Sequence, residues 1–158
     1  MPHPITSGLL AALTSERSAL LRFIALLERE QTVLVENHGD ALPELAEQKT
    51  TDAIQLSQLA ESRRELLKLD IPQQNTETTQ AWLNAHCPDG LPLWQDIVAL
   101  GQRAKQLNQI NGELIKMKLR HNQQALTVLS NAVNKAGVYG RNGQPDFSPG
   151  SGRSLGSG

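Results

Sequence analysis

The chain has one cysteine, Cys87. It therefore has no intramolecular disulfide, and a reducing, cytoplasmic compartment suits it better than a secreted one. Aromatic residues are almost as scarce: two Trp, two Phe and one Tyr in 158 residues. Clusters of Val, Ile and Thr of the kind that build strands are missing, so the core must be made from Leu and Ala on helices. Charge of neither sign is in excess, with 15 basic against 16 acidic residues. That balance offers no electrostatic case for a nucleic-acid partner or an anionic membrane. No apolar run approaches the ~20 residues of a membrane span, which argues against direct membrane insertion. The opening MPHPITSGLL has neither a basic n-region nor a long apolar core, so no signal peptide is expected. What remains is an all-α, cytoplasmic protein of one domain's length.

The leucines that are present are periodic. Leu13, Leu20, Ile24, Leu27 and Leu34 fall on one stripe, with Arg17 and Gln31 filling the intervening turns at alternating spacings of four and three. This heptad-like seam predicts a first helix over about 5–37. Thr6 or Ser7 can cap a start near Gly8 if the first turn is frayed, Gly39 is the expected left-handed residue that ends the helix, and Asp40 the next N-cap. A second helix over about 41–69 tolerates Pro43 in its first turn. Its stripe of Leu42, Leu45, Leu56, Leu59 and Leu66 is interrupted by Lys49, Asp52 and Arg63. Residues 71–76 form a loop, and a short third helix over 77–86 turns Trp82 and Leu83 inward. Trp82 and Trp94 flank the turn at Gly90 and are expected to pack where the short helix meets the bundle. The fourth helix, over 92–136, begins with Pro92 and is capped by Gly137. The architecture is an antiparallel, coiled-coil-like bundle of three long helices and one short one over 1–137. A flexible Gly/Ser/Pro-rich tail follows over 138–158.

The fourth helix is the longest, on the order of 65 Å against about 45 Å for the second. Part of its apolar face must therefore be left uncovered by its own chain. Its stripe is also broken. Leu93, Ile97, Leu100, Ala104, Leu107, Asn111 and Leu114 follow one alternation, and Ile115, Leu119, Asn122, Leu126, Leu129 and Val133 restart it one residue later. The facing direction rotates by about 100° near Gly112. Asn108, Asn111 and Gly112 weaken the helix at this point, Gly by about 1 kcal/mol and Asn by about half that. Two explanations compete. Small residues such as Gly101 and Gly112 let a neighbouring helix of the same chain come close, or the asparagines border a groove for a partner helix and fix its register. On the second view, Leu at 111 and 122 raises helix stability and self-association while blurring partner choice.

Nothing in the sequence does chemistry. His86 and Cys87 are adjacent but point about 100° apart on a helix, and no metal-ligand spacing accompanies them. His3, His38 and His121 share no motif. Glu61 with Arg64, Glu65 with Lys68, and Glu113 with Lys116 are helical pairs on solvated faces. No catalytic residue, metal ligand or cofactor is expected.

Several short motifs follow one another along the chain. LLEREQTVL at 26–34 places Glu30 inside the leucine repeat, and Leu45, Lys49 and LSQLAESRRELL at 56–67 follow. The most specific piece is NxxNGxLI at Asn108, Asn111, Gly112, Leu114 and Ile115. NQQALTVL at 122–129 comes next, and then YGRNGQ from Tyr139 to Gln144. This order resembles the FlgN family, flagellar type III export chaperones for hook-filament junction (hook-associated) proteins, and YGRNGQ is similar to that family's Tyr-Gly-x-x-Gly-Gln ending. The resemblance implies a helical bundle that takes up the amphipathic C-terminal helices of the junction proteins, prevents their premature association and delivers them to the export gate. It assigns substrate-protein binding to Asn108, Asn111, Gly112, Leu114, Ile115, Leu119, Asn122, Leu126, Leu129 and Val133. Tyr139, Gly140 and Gly143 would dock on the cytoplasmic domain of the gate. The protein itself would be a monomer or weak dimer. The rival reading is a self-associating helical scaffold that uses the same stripe.

Overall fold

A computed structural model describes the backbone of residues 3–140 and the side-chain surroundings of residues 3–136. Every regular element among the described residues is helical: α1 (Thr6–Val35), α2 (Leu42–Leu67), α3 (Thr76–His86) and α4 (Leu91–Gly140), with 3-10 turns at Gly39–Ala41 and Pro88–Gly90. No helix among them is long and apolar enough to cross a membrane. The chain divides into two compact units, Met1–Gly112 and Glu113–Gly158. The first holds α1, α2, α3 and the N-terminal part of α4, and the described part of the second is the remainder of α4.

The helix ends differ from expectation in instructive ways. The left-handed residue that closes α1 is Asn37, at φ 61°, not Gly39. The His38 amide donates to the Val33 carbonyl at 3.0 Å, the long bond of a Schellman close. Asn enters this region at little cost because its short side chain can bond locally. Asp40 caps nothing. It lies in the 3-10 turn, and α2 starts with Pro43 in its first turn and no side-chain cap. The start of α1 likewise has no side-chain cap, with Ile5 at the N-cap position and Thr6 already helical. α2 stops at Leu67, whose carbonyl accepts from the amides of Asp70 and Ile71. α3 has the best-made start: Asn75 Oδ1 accepts from the Thr78 amide at 2.8 Å, and Thr78 Oγ1 accepts from the Asn75 amide at 2.9 Å. This reciprocal pair leaves neither amide orphaned. Gly137 is not a cap, because α4 continues through it to Gly140.

The first unit is built on α1. Leu9, Leu13, Leu20, Ile24, Leu27 and Leu34 are buried along it, each worth about 2 kcal/mol of transfer free energy. The polar residues on the same stripe are Glu16 and Glu30, not Arg17 and Gln31, which stay half-exposed. One core cluster joins Leu9, Leu13 and Leu20 of α1 to Leu67 of α2, Trp82, Leu83 and Cys87 around α3, and Trp94 and Ile97 of α4. Both tryptophans are therefore core residues, as expected, and Trp94 Nε1 donates to the Thr76 carbonyl at 3.3 Å. Gly90 sits in this cluster by necessity. A Cβ there would lie 3.1 Å from the methyl groups of Leu13 and of Leu83, too close for either to stay in place. A second cluster, Ile24 and Leu27 against Ala104 and Leu107, packs α1 on α4.

Candidate functional site

Asn111 is fully buried, on the same face of α4 as Ala104 and Leu107. Its Nδ2 group donates one hydrogen to the Leu27 carbonyl at 2.9 Å and the other to Glu30 Oε1 at 2.8 Å. The Leu27 oxygen already serves its own helix and has a second lone pair for this bond. Glu30 in turn accepts from Lys49 Nζ of α2 at 3.1 Å. One asparagine, one glutamate and one lysine thus tie α4, α1 and α2 together across an otherwise apolar seam. The amide orientation is determined, because the flipped amide would put its oxygen against the Glu30 carboxylate. Oδ1 is left buried without a partner. Where the sequence places Asn111 at the border of a partner groove, the structure commits both its donors to α1 of its own chain.

A second ion pair lies in the same seam. Arg63 Nε of α2 sits 3.4 Å from Glu16 Oε1 of α1, and its guanidinium lies 4.7 Å from the centre of the Trp94 ring. Both side chains are nearly buried, and neither of the two facing atoms makes a hydrogen bond. Burial raises the Glu16 carboxyl above its ordinary value against the pull of Arg63 and Arg64. Burial also lowers the Arg63 guanidinium against the pull of Glu16. Both directions agree that desolvation exceeds the pairing. Lys49 and Arg63, which interrupt the leucine stripe of α2, are therefore the counterparts of Glu30 and Glu16.

The other predicted site residues are placed differently. Asn108 is exposed, Gly112 and Leu114 are half-buried, and nothing lies within 4 Å of a Cβ built on Gly112 or Gly101. Neither glycine is needed for close approach within this chain. Gly112→Ala is accordingly expected to stabilise the fold by about 1 kcal/mol through helix propensity, read as a higher urea midpoint. An unchanged or lower midpoint would show that the backbone at 112 departs from what Ala allows.

No residue from Glu113 to Ala136 is buried. Leu119 is 57% exposed, Leu126 63%, Leu129 60% and Val133 39%. At 3.6 residues per turn these four, with Ile115 and Asn122, fall within an arc of about 80°. α4 therefore carries a buried stripe that ends at Asn111 in the first unit, and an open apolar row in the second. Tyr139 and Gly140 fall in its last turn, while Gly143 lies outside the described residues. Among the described residues no group of three His, Cys, Asp or Glu side chains comes together as a metal-ion site would require.

The family model "FlgN protein" matches residues 1–146. Flagella synthesis protein FlgN of Escherichia coli (strain K12) is 30% identical over 138 residues, covering 85% of this chain and 88% of its own. Flagella synthesis protein FlgN of Salmonella typhimurium (strain LT2) is 32% identical over 102 residues, 64% of this chain and 72% of its own. No solved structure matches the chain. The family match spans Glu16, Glu30, Lys49, Arg63, Asn111 and the whole open row, and on that span the chain belongs to the FlgN family of flagellar synthesis proteins.

Proposed function

We propose that this chain is a non-enzymatic export chaperone of the flagellar type III pathway. It takes the amphipathic C-terminal helices of hook-filament junction proteins onto the face of Leu114, Ile115, Leu119, Asn122, Leu126, Leu129 and Val133. It holds them apart in the cytoplasm and hands them to the cytoplasmic domain of the export gate, where Tyr139, Gly140 and Gly143 dock. The observation that carries this reading is the open row of α4: four large apolar side chains, each more than a third exposed, on one helical face. Such a row suits an amphipathic helix that folds as it binds and that loses part of its affinity to ordering. Asn122 in the middle of the row limits the apolar patch of the free chaperone and marks the partner's register. Asn108 is exposed on α4 and can contribute to the groove edge, whereas Asn111 is held within the first unit by its bonds to α1.

The test is calorimetric titration of the full chain with synthetic C-terminal segments of the junction proteins. Binding near micromolar is expected, about −8 kcal/mol. Leu126→Asp/Leu129→Asp is expected to weaken it about a hundredfold with unchanged helicity, since two exposed leucines cost the fold nothing and the interface two anchors. A wild-type chain that is already a stable dimer and ignores these segments would favour the self-associating scaffold.

A further inference from the structure

The overall charge of −1 conceals an uneven distribution along α4. From Glu113 to Ala136 there are four basic residues, Lys116, Lys118, Arg120 and Lys135, and one acidic residue, Glu113. Three of the four fall within five consecutive positions, and His121 to Asn134 contains no Lys, Arg, Asp or Glu. By helical geometry Lys118 lies about 20° outside one edge of the open apolar row and Lys116 about 60° outside the other. These are the flanking positions that set partner choice and direction when two helices pair. Lys116 has Glu113 3.5 Å away, and Lys118 has no ion pair among the described residues. Lys118 is half-buried, as a lysine is when its aliphatic stem lies against apolar surface and its ammonium reaches water.

We infer that the helix accepted by this face carries acidic residues beside its apolar row at the end that meets Lys116 and Lys118, and amide or small residues along the rest. The inference rests on the reading of the face as a docking surface for a partner helix and adds that partner's charge pattern and direction. A second copy of the chain fits less well. In parallel pairing, Lys118 faces Lys118. In antiparallel pairing centred on the row, it faces the stretch around Ser130, which has no acid to answer it. An anionic membrane surface fits less well too, because the row has no aromatic anchor, contains Asn122, and from Asn122 to Asn134 its polar side is amide and hydroxyl with no Lys or Arg.

The test uses the full chain and two synthetic 20-residue amphipathic helices with identical leucine rows. One carries glutamates beside the row at one end and the other lysines at the same positions. The glutamate peptide is expected to bind about tenfold tighter at low salt, with the gap closing at high salt as screening shortens the reach of the charges. Lys116→Glu/Lys118→Glu is expected to reverse the preference, and carbodiimide coupling of the bound glutamate peptide is expected to join it to Lys116 or Lys118. Coupling to Lys135 instead overturns the direction. Equal binding of both peptides, insensitive to salt, overturns the charge inference and leaves the docking surface standing. Binding of neither peptide removes the docking surface itself. Co-sedimentation of the chain with phosphatidylglycerol vesicles, released by Leu126→Asp/Leu129→Asp, overturns the proposal in favour of a lipid surface.

Discussion

Asn111→Leu is expected to lower the stability of the chain by about 3 kcal/mol, seen as a lower urea midpoint with an unchanged slope. The substitution deletes a hydrogen bond to a buried carboxylate, worth about 1.5–3 kcal/mol, and one to a backbone carbonyl, worth about 1 kcal/mol. Relief of the unpartnered Oδ1 and a gain in helix propensity offset only part of that loss. Glu30 keeps Lys49 but loses its second donor, and α4 loses both side-chain hydrogen bonds that Asn111 makes to α1. Asn122→Leu is the control. It lies on the exposed row, touches no such network, and is expected to be neutral or slightly stabilising while promoting self-association. From the sequence the two asparagines look alike, and the structure separates them. A rise in midpoint for Asn111→Leu would mean that apolar burial outweighs the three-helix network.

The asparagines show what was legible in the sequence and what was not. Apolar periodicity identified all four helices, because the spacing of Leu and Ile is a property of one helix read alone. It could not choose between adjacent polar residues at a gap in the repeat. Arg17 and Gln31 satisfied the alternation as well as Glu16 and Glu30 did, and only the facing helix decides between them. A signal existed nonetheless. Glu16 and Glu30 are fourteen residues apart, Lys49 and Arg63 are fourteen apart, and each acid is as far before the turn at Gly39 and Asp40 as its base lies after it. Two acid–base pairs spaced by two heptads and symmetric about one turn are what an antiparallel helical hairpin produces. Helix ends were the least legible. Asn37 and Gly39 are both competent to turn left-handed, and the chain uses the earlier one. The open row of α4 was legible from leucine spacing, whereas the burial of Asn111 required knowing that α1 presents Leu27 and Glu30 to it.

Arg63→Leu is expected to cost about 4 kcal/mol at neutral pH, and the cost should fall as the solution is acidified. Removing the arginine leaves the Glu16 carboxylate in the core with its cation gone, and an uncompensated buried charge typically costs about 3–5 kcal/mol. The parent already holds the Glu16 carboxyl above its ordinary value, because burial outweighs its pairing. Without Arg63 that carboxyl rises further. A carboxyl raised in the folded state binds its proton more readily folded than unfolded, so lowering the pH stabilises the folded state through this group. The other carboxylates of the chain are common to parent and variant and cancel in the difference. The stability gap between the two is therefore largest on the alkaline side and narrows as the pH is lowered through the raised range in which the stranded carboxyl takes up its proton. Denaturant titrations of both proteins across that range measure it. A gap that stays flat with pH would assign the loss to the vacated contact with Trp94 instead of to charge. Glu16→Met/Arg63→Met separates the two further. It removes both charges and keeps most of the volume, so it should regain most of the lost stability and show no such pH dependence.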